Sequence, residues 1–305
     1  MAEYFLGIDT SNYTTSAALV RDGEVVLNVK RPVKVKEGEH GIRQSDAVFS
    51  HVQSLPEVLA EIGAQELTAV GVSTRPRDVE GSYMPCFLAG KAAATGIASL
   101  GGLPLYEVSH QWGHLMAALY GAGKTDLYGK DFLAFHVSGG TTELLRVRGR
   151  EVEKVGGTLD LNAGQVIDRI GVKMGIPFPA GRGLEEIALP FSETDCHSHV
   201  RGLDCNLSGL ENKADALLSA GESREKVAAY VLKSVCRMLE KLTENAFAEF
   251  GKQPVLFAGG VMSNRLIKEV LQKRFRAHFA PPAFSADNAA GVALLAERAY
   301  RETMK

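Results

Sequence analysis

The run Phe132-Leu133-Ala134-Phe135-His136-Val137-Ser138-Gly139-Gly140-Thr141-Thr142-Glu143-Leu144-Leu145-Arg146-Val147 decides the fold. It reads as a buried strand, a small polar turn and a second strand, with a further hairpin strand near Val152. The paired glycines leave backbone amides exposed and let a phosphate approach closely. The same pattern opens the chain. Tyr4 to Ile8 is strand-like and ends at Asp9, and a hydroxyl-rich cluster follows (Thr10, Ser11, Asn12, Thr14, Thr15, Ser16). Then Ala17 to Val20 and Val25 to Val29 flank Asp22-Gly23, a D-G hairpin turn. Two such units, each followed by helices, imply a duplicated α/β design with a ligand between the halves.

At 305 residues, 45% hydrophobic and 23% charged, the chain has room for two ordinary globular domains. A formal net charge of -2 provides no global basic footprint for nucleic acid. Apolar runs are short and the N-terminus lacks a basic and an apolar region, so neither signal peptide nor membrane span is expected and the cytoplasm is the default. Cys86, Cys196, Cys205 and Cys236 form no C-x-x-C pair, which fits reduced thiols.

Between the two hairpin units, Val48, Val52, Leu55, Leu59 and Ile62 follow helical spacing from Ser45, with Gly63 a stop and Pro56 a kink or break. Ala69 to Val72 is a buried-strand candidate. Arg75, Pro76, Arg77 and Asp78 come next, where two arginines either bind a phosphate or carboxylate or are solvated loop charges. A Gly- and Ala-rich helix over Phe87 to Leu100 precedes a strand at Leu105 to Val108. His110-Gln111-Trp112-Gly113-His114 then starts a segment whose helical reading puts two imidazoles one turn apart on one face. They bind one ion if the chain supplies a third ligand; otherwise they pack or face solvent.

In the second half, Asp160 and Asp168 flank a helix start at Ala163 to Gln165, beside the loop Phe178 to Gly183. A carboxylate there binds ribose hydroxyls or acts as a cap. Asp195, Cys196, His197, His199, Asp204 and Cys205 place ligand-type side chains close together without a standard zinc spacing. Ser223 to Phe250 is a long amphipathic helix. Val255 to Ala258 is a strand ending at Gly259 and Gly260, where an adenosine can lie over the backbone with Asn264 available to a sugar or phosphate. Asp287 and Asn288 precede an Ala-rich helix from Ala289 to Tyr300; Asp287 is a candidate third metal ligand or that helix's cap.

The ordered set GIDTS, HQWGH, VSGGTTEL, GGTLDLNAGQVIDR, LDCNLSGL, FAGGVMSNR and SADNAAG resembles the TsaD, or kinase-associated endopeptidase, family, once labelled O-sialoglycoprotein endopeptidases of peptidase M22 type. The resemblance implies an α/β, actin-like ATPase (ASKHA) fold of two ribonuclease H-like domains with a nucleotide and metal cleft between them. On that reading residues 1-108 form the first half, completed by the C-terminal helix 287-305, and 109-286 the second, nucleotide-binding half. It implies transfer of a threonylcarbamoyl group from an adenylate to N6 of a tRNA adenosine. Carried over by position, the metal ligands are His110, His114 and Asp287, holding one divalent ion, iron or zinc. The nucleotide contacts are His136, Val137, Ser138, Gly139, Gly140, Asp168, Gly181 and Asn264. The implied partners are the adenylate and tRNA, the latter through a partner protein, with no membrane, and with homo- or hetero-oligomerisation left open.

The chain departs from the family pattern where an Asp-Glu pair is usual, at Tyr13 and Thr14. It departs again at Thr74 to Asp78 in place of a Gly-Pro-Gly turn, at Thr141 in place of His, and at Gln111 and Trp112. These changes mark a divergent member or paralogue. The expectation is a metal-assisted transferase in which the Ser138 to Gly140 turn holds the adenylate phosphate. The rival is a nucleotide- and metal-binding scaffold without transfer activity. A protease is disfavoured, since there is no paired nucleophile and base and no H-E-x-x-H.

Overall fold

The computed structural model describes residues 2–11, 13–33, 42–285 and 289–305. The chain divides into two units, Met1–Thr125 with Ala283–Lys305, and Asp126–Pro282.

The first unit starts with β1 (Tyr4–Asp9), β2 (Thr14–Arg21) and β3 (Glu24–Pro32). It continues through α1 (Gln44–Ile62), β4 (Leu67–Arg75), α2 (Phe87–Gly101), β5 (Leu105–Ser109) and α3 (His110–Gly121). Its sheet runs β3-β2-β1-β4-β5. The first three strands are antiparallel neighbours, and β4 and β5 add in parallel. Asp22 and Gly23 both have positive φ, 52° and 80°, the backbone that a two-residue hairpin needs.

Helix α1 continues through Pro56, so of the kink or break expected there the break does not occur. Its buried face is Ala47, His51, Leu55, Val58 and Ile62, while Val52 is 55% exposed. Leu55 and Ile62 lie on the expected stripe, while Ala47, His51 and Val58 take the buried places expected of Val48, Val52 and Leu59. That face packs against the sheet, and tertiary burial outweighs the single backbone hydrogen bond that proline removes.

The second unit opens with β6 (Phe132–Val137), β7 (Thr142–Arg148) and β8 (Glu151–Thr158), followed by α4 (Ala163–Lys173) and α5 (Gly181–Ile187). Next come β9 (His199–Arg201), β10 (Asp204–Asn206), α6 (Ser208–Ser219) and α7 (Arg224–Phe250). It closes with β11 (Val255–Ala258), α8 (Arg265–Arg274) and β12 (Ala277–Phe279). The sheet order is β12-β11-β6-β7-β8-β10-β9. Five of these strands, read from β8 to β12, repeat the pairing senses of the first sheet: an antiparallel meander, then two parallel additions. Phe135, Phe257 and Phe279 stack across three adjacent strands with centroids 5.0 Å apart at each step, the centre of that core.

The segment of scattered thiols and histidines folds as the small β9-β10 hairpin. Cys205 is buried, and burial pushes its thiol up to about 12, so it is not a thiolate at neutral pH. Among the described residues no group of three or more His, Cys, Asp or Glu side chains is disposed to hold a metal ion.

The chain returns to the first unit as α9 (Ala290–Thr303), which packs on β1, β4 and α3. A Cβ at Gly291 would overlap the Gly113 carbonyl, so only glycine lets α9 lie this close to α3. This packing draws α3 into the first unit: the division falls after Thr125, later than the position 108 expected from the sequence. Among the described residues no helix is long and apolar enough to cross a membrane.

Candidate functional site

In the first unit, α3 begins directly at the end of β5. Ser109 caps it, its Oγ accepting from Trp112 N at 3.3 Å and donating to Asp78 Oδ2 at 2.6 Å. Asp78 in turn accepts from Arg75 Nε at 2.8 Å. Arg75 is therefore engaged by its own loop, bracing the helix start instead of presenting a free guanidinium. The cap sets the helical phase, which brings His110 and His114 together with ring centroids 4.3 Å apart.

His110 Nδ1 lies 3.2 Å from Asp9 Oδ1. Asp9 ends β1 and is wholly buried; it also accepts from Ser11 Oγ at 2.6 Å and from Ser73 Oγ on β4. Burial alone would raise the Asp9 pKa. The His110 charge and the hydrogen bonds from His110, Ser11 and Ser73 outweigh that, and the carboxyl is held below the ordinary 3.8. Against an ionised carboxylate Nδ1 must carry the proton, which leaves the lone pair of neutral His110 on Nε2. A carboxylate on one ring nitrogen is how metal-binding histidines are oriented.

Nearby on α1, His51 Nδ1 is 2.8 Å from Thr15 Oγ1, and burial lowers its pKa below 6.5 against the opposing field of Asp9. It is neutral at physiological pH. Tyr13 is 42% exposed and Thr14 starts β2. Asp287 lies outside the described residues.

In the second unit, a recess of about 630 Å³ is lined by Gly139, Gly164, Asp168, Gly181, Glu185, Gly260, Asn264 and Arg265, with Ile167, Pro179 and Leu232 supplying apolar wall. It sits past the ends of β6 and β11, where the strands give way to glycine turns. Four of the eight nucleotide contacts implied by the resemblance, Gly139, Asp168, Gly181 and Asn264, converge there, as does Gly260. His136, Val137, Ser138 and Gly140 do not line it: His136 and Val137 complete β6, with Val137 buried, and Ser138 organises the turn. Ser138 Oγ accepts from the Gly140 and Thr141 amides at 3.3 and 3.1 Å. The Gly140 amide, expected to be open, is thus taken up by a local side chain. The Gly139 amide has no partner among the described residues.

Helix α4 starts against this turn. Gly164 N donates to Ser138 O at 3.1 Å, and a Cβ on Gly164 would lie 2.6 Å from Gly139 N. Only glycine permits this approach, which brings the positive end of the helix to the turn. One helical turn on, Asp168 Oδ1 accepts from Ala180 N at 2.8 Å, anchoring the loop that leads into α5. Asp160, the other acid flagged there, is spent structurally: it accepts from Leu161 N, Leu207 N, Ser208 N and Ser208 Oγ at 2.6 to 3.2 Å. Asn264 caps α8, its Oδ1 accepting from Ile267 N at 3.0 Å, and its NH2 has no partner among the described residues. Glu185 and Arg265, not singled out from sequence, pair across the recess at 2.6 Å. Asp9 was likewise overlooked as more than a strand end; its signal was a carboxylate followed at once by a run of hydroxyls.

A family model described as TsaD, tRNA N6-adenosine threonylcarbamoyltransferase, matches residues 29–294. The tRNA N6-adenosine threonylcarbamoyltransferase of Methanopyrus kandleri is 29% identical over 94% of this chain and 85% of its own length. A protein of the same description from Thermus thermophilus is 32% identical over 98% of this chain and 93% of its own length. Among solved structures, component A of (R)-2-hydroxyglutaryl-CoA dehydratase from Acidaminococcus fermentans superposes with a TM-score of 0.56 at 18% identity, over 99% of this chain and 100% of that one. This likeness shows the fold alone, and it is the actin-like ATPase fold. With the family model spanning most of the sequence and both relatives aligned almost end to end, the chain belongs to the TsaD family of tRNA N6-adenosine threonylcarbamoyltransferases.

Proposed function

We propose that this chain is a cytoplasmic, metal-dependent transferase that moves a threonylcarbamoyl group from an adenylate donor to N6 of an adenosine in tRNA. The observation that carries the donor reading is the convergence of Gly139, Gly164, Asp168, Gly181 and Asn264 on one recess at two strand ends. The unpartnered Gly139 amide, backed by the start of α4, suits the adenylate phosphate. Asp168 and Glu185 offer carboxylates to the ribose hydroxyls, and Ile167, Val261 and Leu232 cover an adenine face.

In the transfer, the bond between the carbamoyl carbon and the phosphate oxygen breaks, the N6–carbon bond forms, N6 loses a proton and AMP leaves. Holding the phosphate at the turn fixes the leaving group relative to the carbonyl. The imidazoles of His110 and His114 would hold one divalent ion, iron or zinc, with Asp287 as the third ligand. Asp9 holds His110 at Nδ1, which makes Nε2 the ring nitrogen for this role. When bound, such an ion supplies Lewis-acid polarisation of an oxygen.

Tyr13 and Thr14, where carboxylates are usual in the family, favour a second reading, a ligand-binding scaffold without transfer. Purified protein incubated with threonylcarbamoyl-adenylate and unmodified tRNA separates the two. Modified adenosine in the tRNA digest supports transfer; tight adenylate binding with no product supports the scaffold. Elemental analysis tests the ion: His114→Ala and Asp287→Ala should each lower bound metal, whereas an Asp287 that only caps a helix would lower stability and leave metal content intact.

A further inference from the structure

At the opposite ends of β6 and β11 from the candidate nucleotide recess lies a second recess, of about 700 Å³. The four residues of β11 put roughly 13 Å of strand between them. Phe247, Lys252, Arg274, Phe275 and Arg276 line it, with Glu244 the carboxylate among its lining residues. Glu244 is already neutralised, since Arg274 spans it and Glu240, with the Glu240 bond at 2.7 Å. Lys252 and Arg276 are exposed and pair with no carboxylate among the described residues. Beside them, the Arg146 guanidinium stands 4.3 Å over the Phe250 ring, also without a carboxylate. Phe247 and Phe275 meet edge to face at 5.7 Å and are half-buried, so part of each ring remains accessible.

A solvated lysine or arginine alone is ordinary. Two cations without a carboxylate partner among the described residues, set beside two phenylalanines in one recess at the strand ends, with a third cation stacked on a third ring nearby, is the chemistry that holds RNA: cations take phosphates, and ring faces take unstacked bases. An acidic peptide would use the cations and leave the rings idle.

We infer that this recess is an RNA-contact surface, taking backbone phosphates at Lys252 and Arg276 and an unstacked base against Phe247 and Phe275. That the RNA is tRNA rests on the transfer reading above. The contact is remote from the donor recess, so it anchors the acceptor and takes no part in bond making.

Fluorescence anisotropy with fluorescein-labelled unmodified tRNA and with a short single-stranded oligoribonucleotide, over a salt series, tests it. The Lys252→Ala/Arg276→Ala variant should bind both at least about fivefold more weakly, and its plot of log affinity against log salt should be shallower by roughly 0.7 per lost phosphate contact. Adenine-nucleotide affinity by calorimetry should match the unsubstituted protein, which shows the second unit is folded. Unchanged RNA affinity and slope overturn the inference, as does an unsubstituted protein that binds no RNA at low salt. So does a variant that loses only binding to polyglutamate, which reassigns the recess to an acidic protein. RNA binding through this recess without tRNA modification would sink the transfer reading and leave the surface standing. Modification with a variant that binds normally would do the reverse.

Discussion

Asp9 and His110 are 101 positions apart in sequence, yet Asp9 Oδ1 and His110 Nδ1 meet at 3.2 Å at the end of a buried strand. The carboxylate is otherwise satisfied by Ser11 and Ser73, so its role toward His110 is to fix the tautomer and ring orientation. Asp9→Asn keeps the shape and removes that control. Metal affinity in a chelator-competition titration should fall by about 10- to 100-fold with the fold intact. Unchanged affinity would mean that His110 Nε2 is not a ligand.

The recess of the second unit should depend on Gly260. A Cβ there meets nothing within 4 Å and Gly260 lines the cavity, so Gly260→Val intrudes on the ligand without straining the backbone. Calorimetric affinity for an adenine nucleotide should drop by at least about tenfold, since an overlapping methyl group costs on the order of 1–3 kcal/mol. Wild-type affinity in a variant with native circular dichroism would move the adenosine elsewhere.

Ser109 sits where loop, strand and histidine helix meet. Ser109→Ala removes the cap on Trp112 N and strands one oxygen of Asp78. Urea unfolding should show a loss of about 0.5–2 kcal/mol. Arg75→Ala, which breaks the outer pair with Asp78 and a hydrogen bond to the neighbouring Thr74, should cost no more than about 1 kcal/mol and leave metal content unchanged.

Asp160 predicts a pH dependence. Burial would raise its pKa, but the amides of Leu207, Leu161 and Ser208 and the Ser208 hydroxyl lower it well below the ordinary 3.8. The folded value is depressed, so its stabilisation is present above the unfolded value and lost as pH falls from there through the folded one. Asp160→Asn should therefore lower the urea midpoint at neutral pH, and the gap to the unsubstituted protein should narrow as pH drops below 3.8. A gap that widens in acid would refute the assignment.

Much of this molecule is written locally. The Asp22-Gly23 hairpin, the glycine turns after β6 and β11, the long helix α7 and the i, i+4 histidines of α3 depend on residues close in sequence, so period and turn chemistry reveal them. So does the duplication, because each half repeats one strand–turn–strand syntax. The tertiary structure decided what depends on distant partners. It set the phase of α1, whose buried face includes His51, because the sheet beneath selects which side of an ambiguous amphipathic helix to cover. It made Asp9 a buried partner of His110, spent Asp160 on α6 and kept Asp168 for the recess, and paired Glu185 with Arg265. It placed α9 on α3 through the close approach of Gly291 to Gly113. A carboxylate at a strand end looks the same in sequence whether it caps, anchors or binds; burial and the donors that reach it from across the fold set which it does.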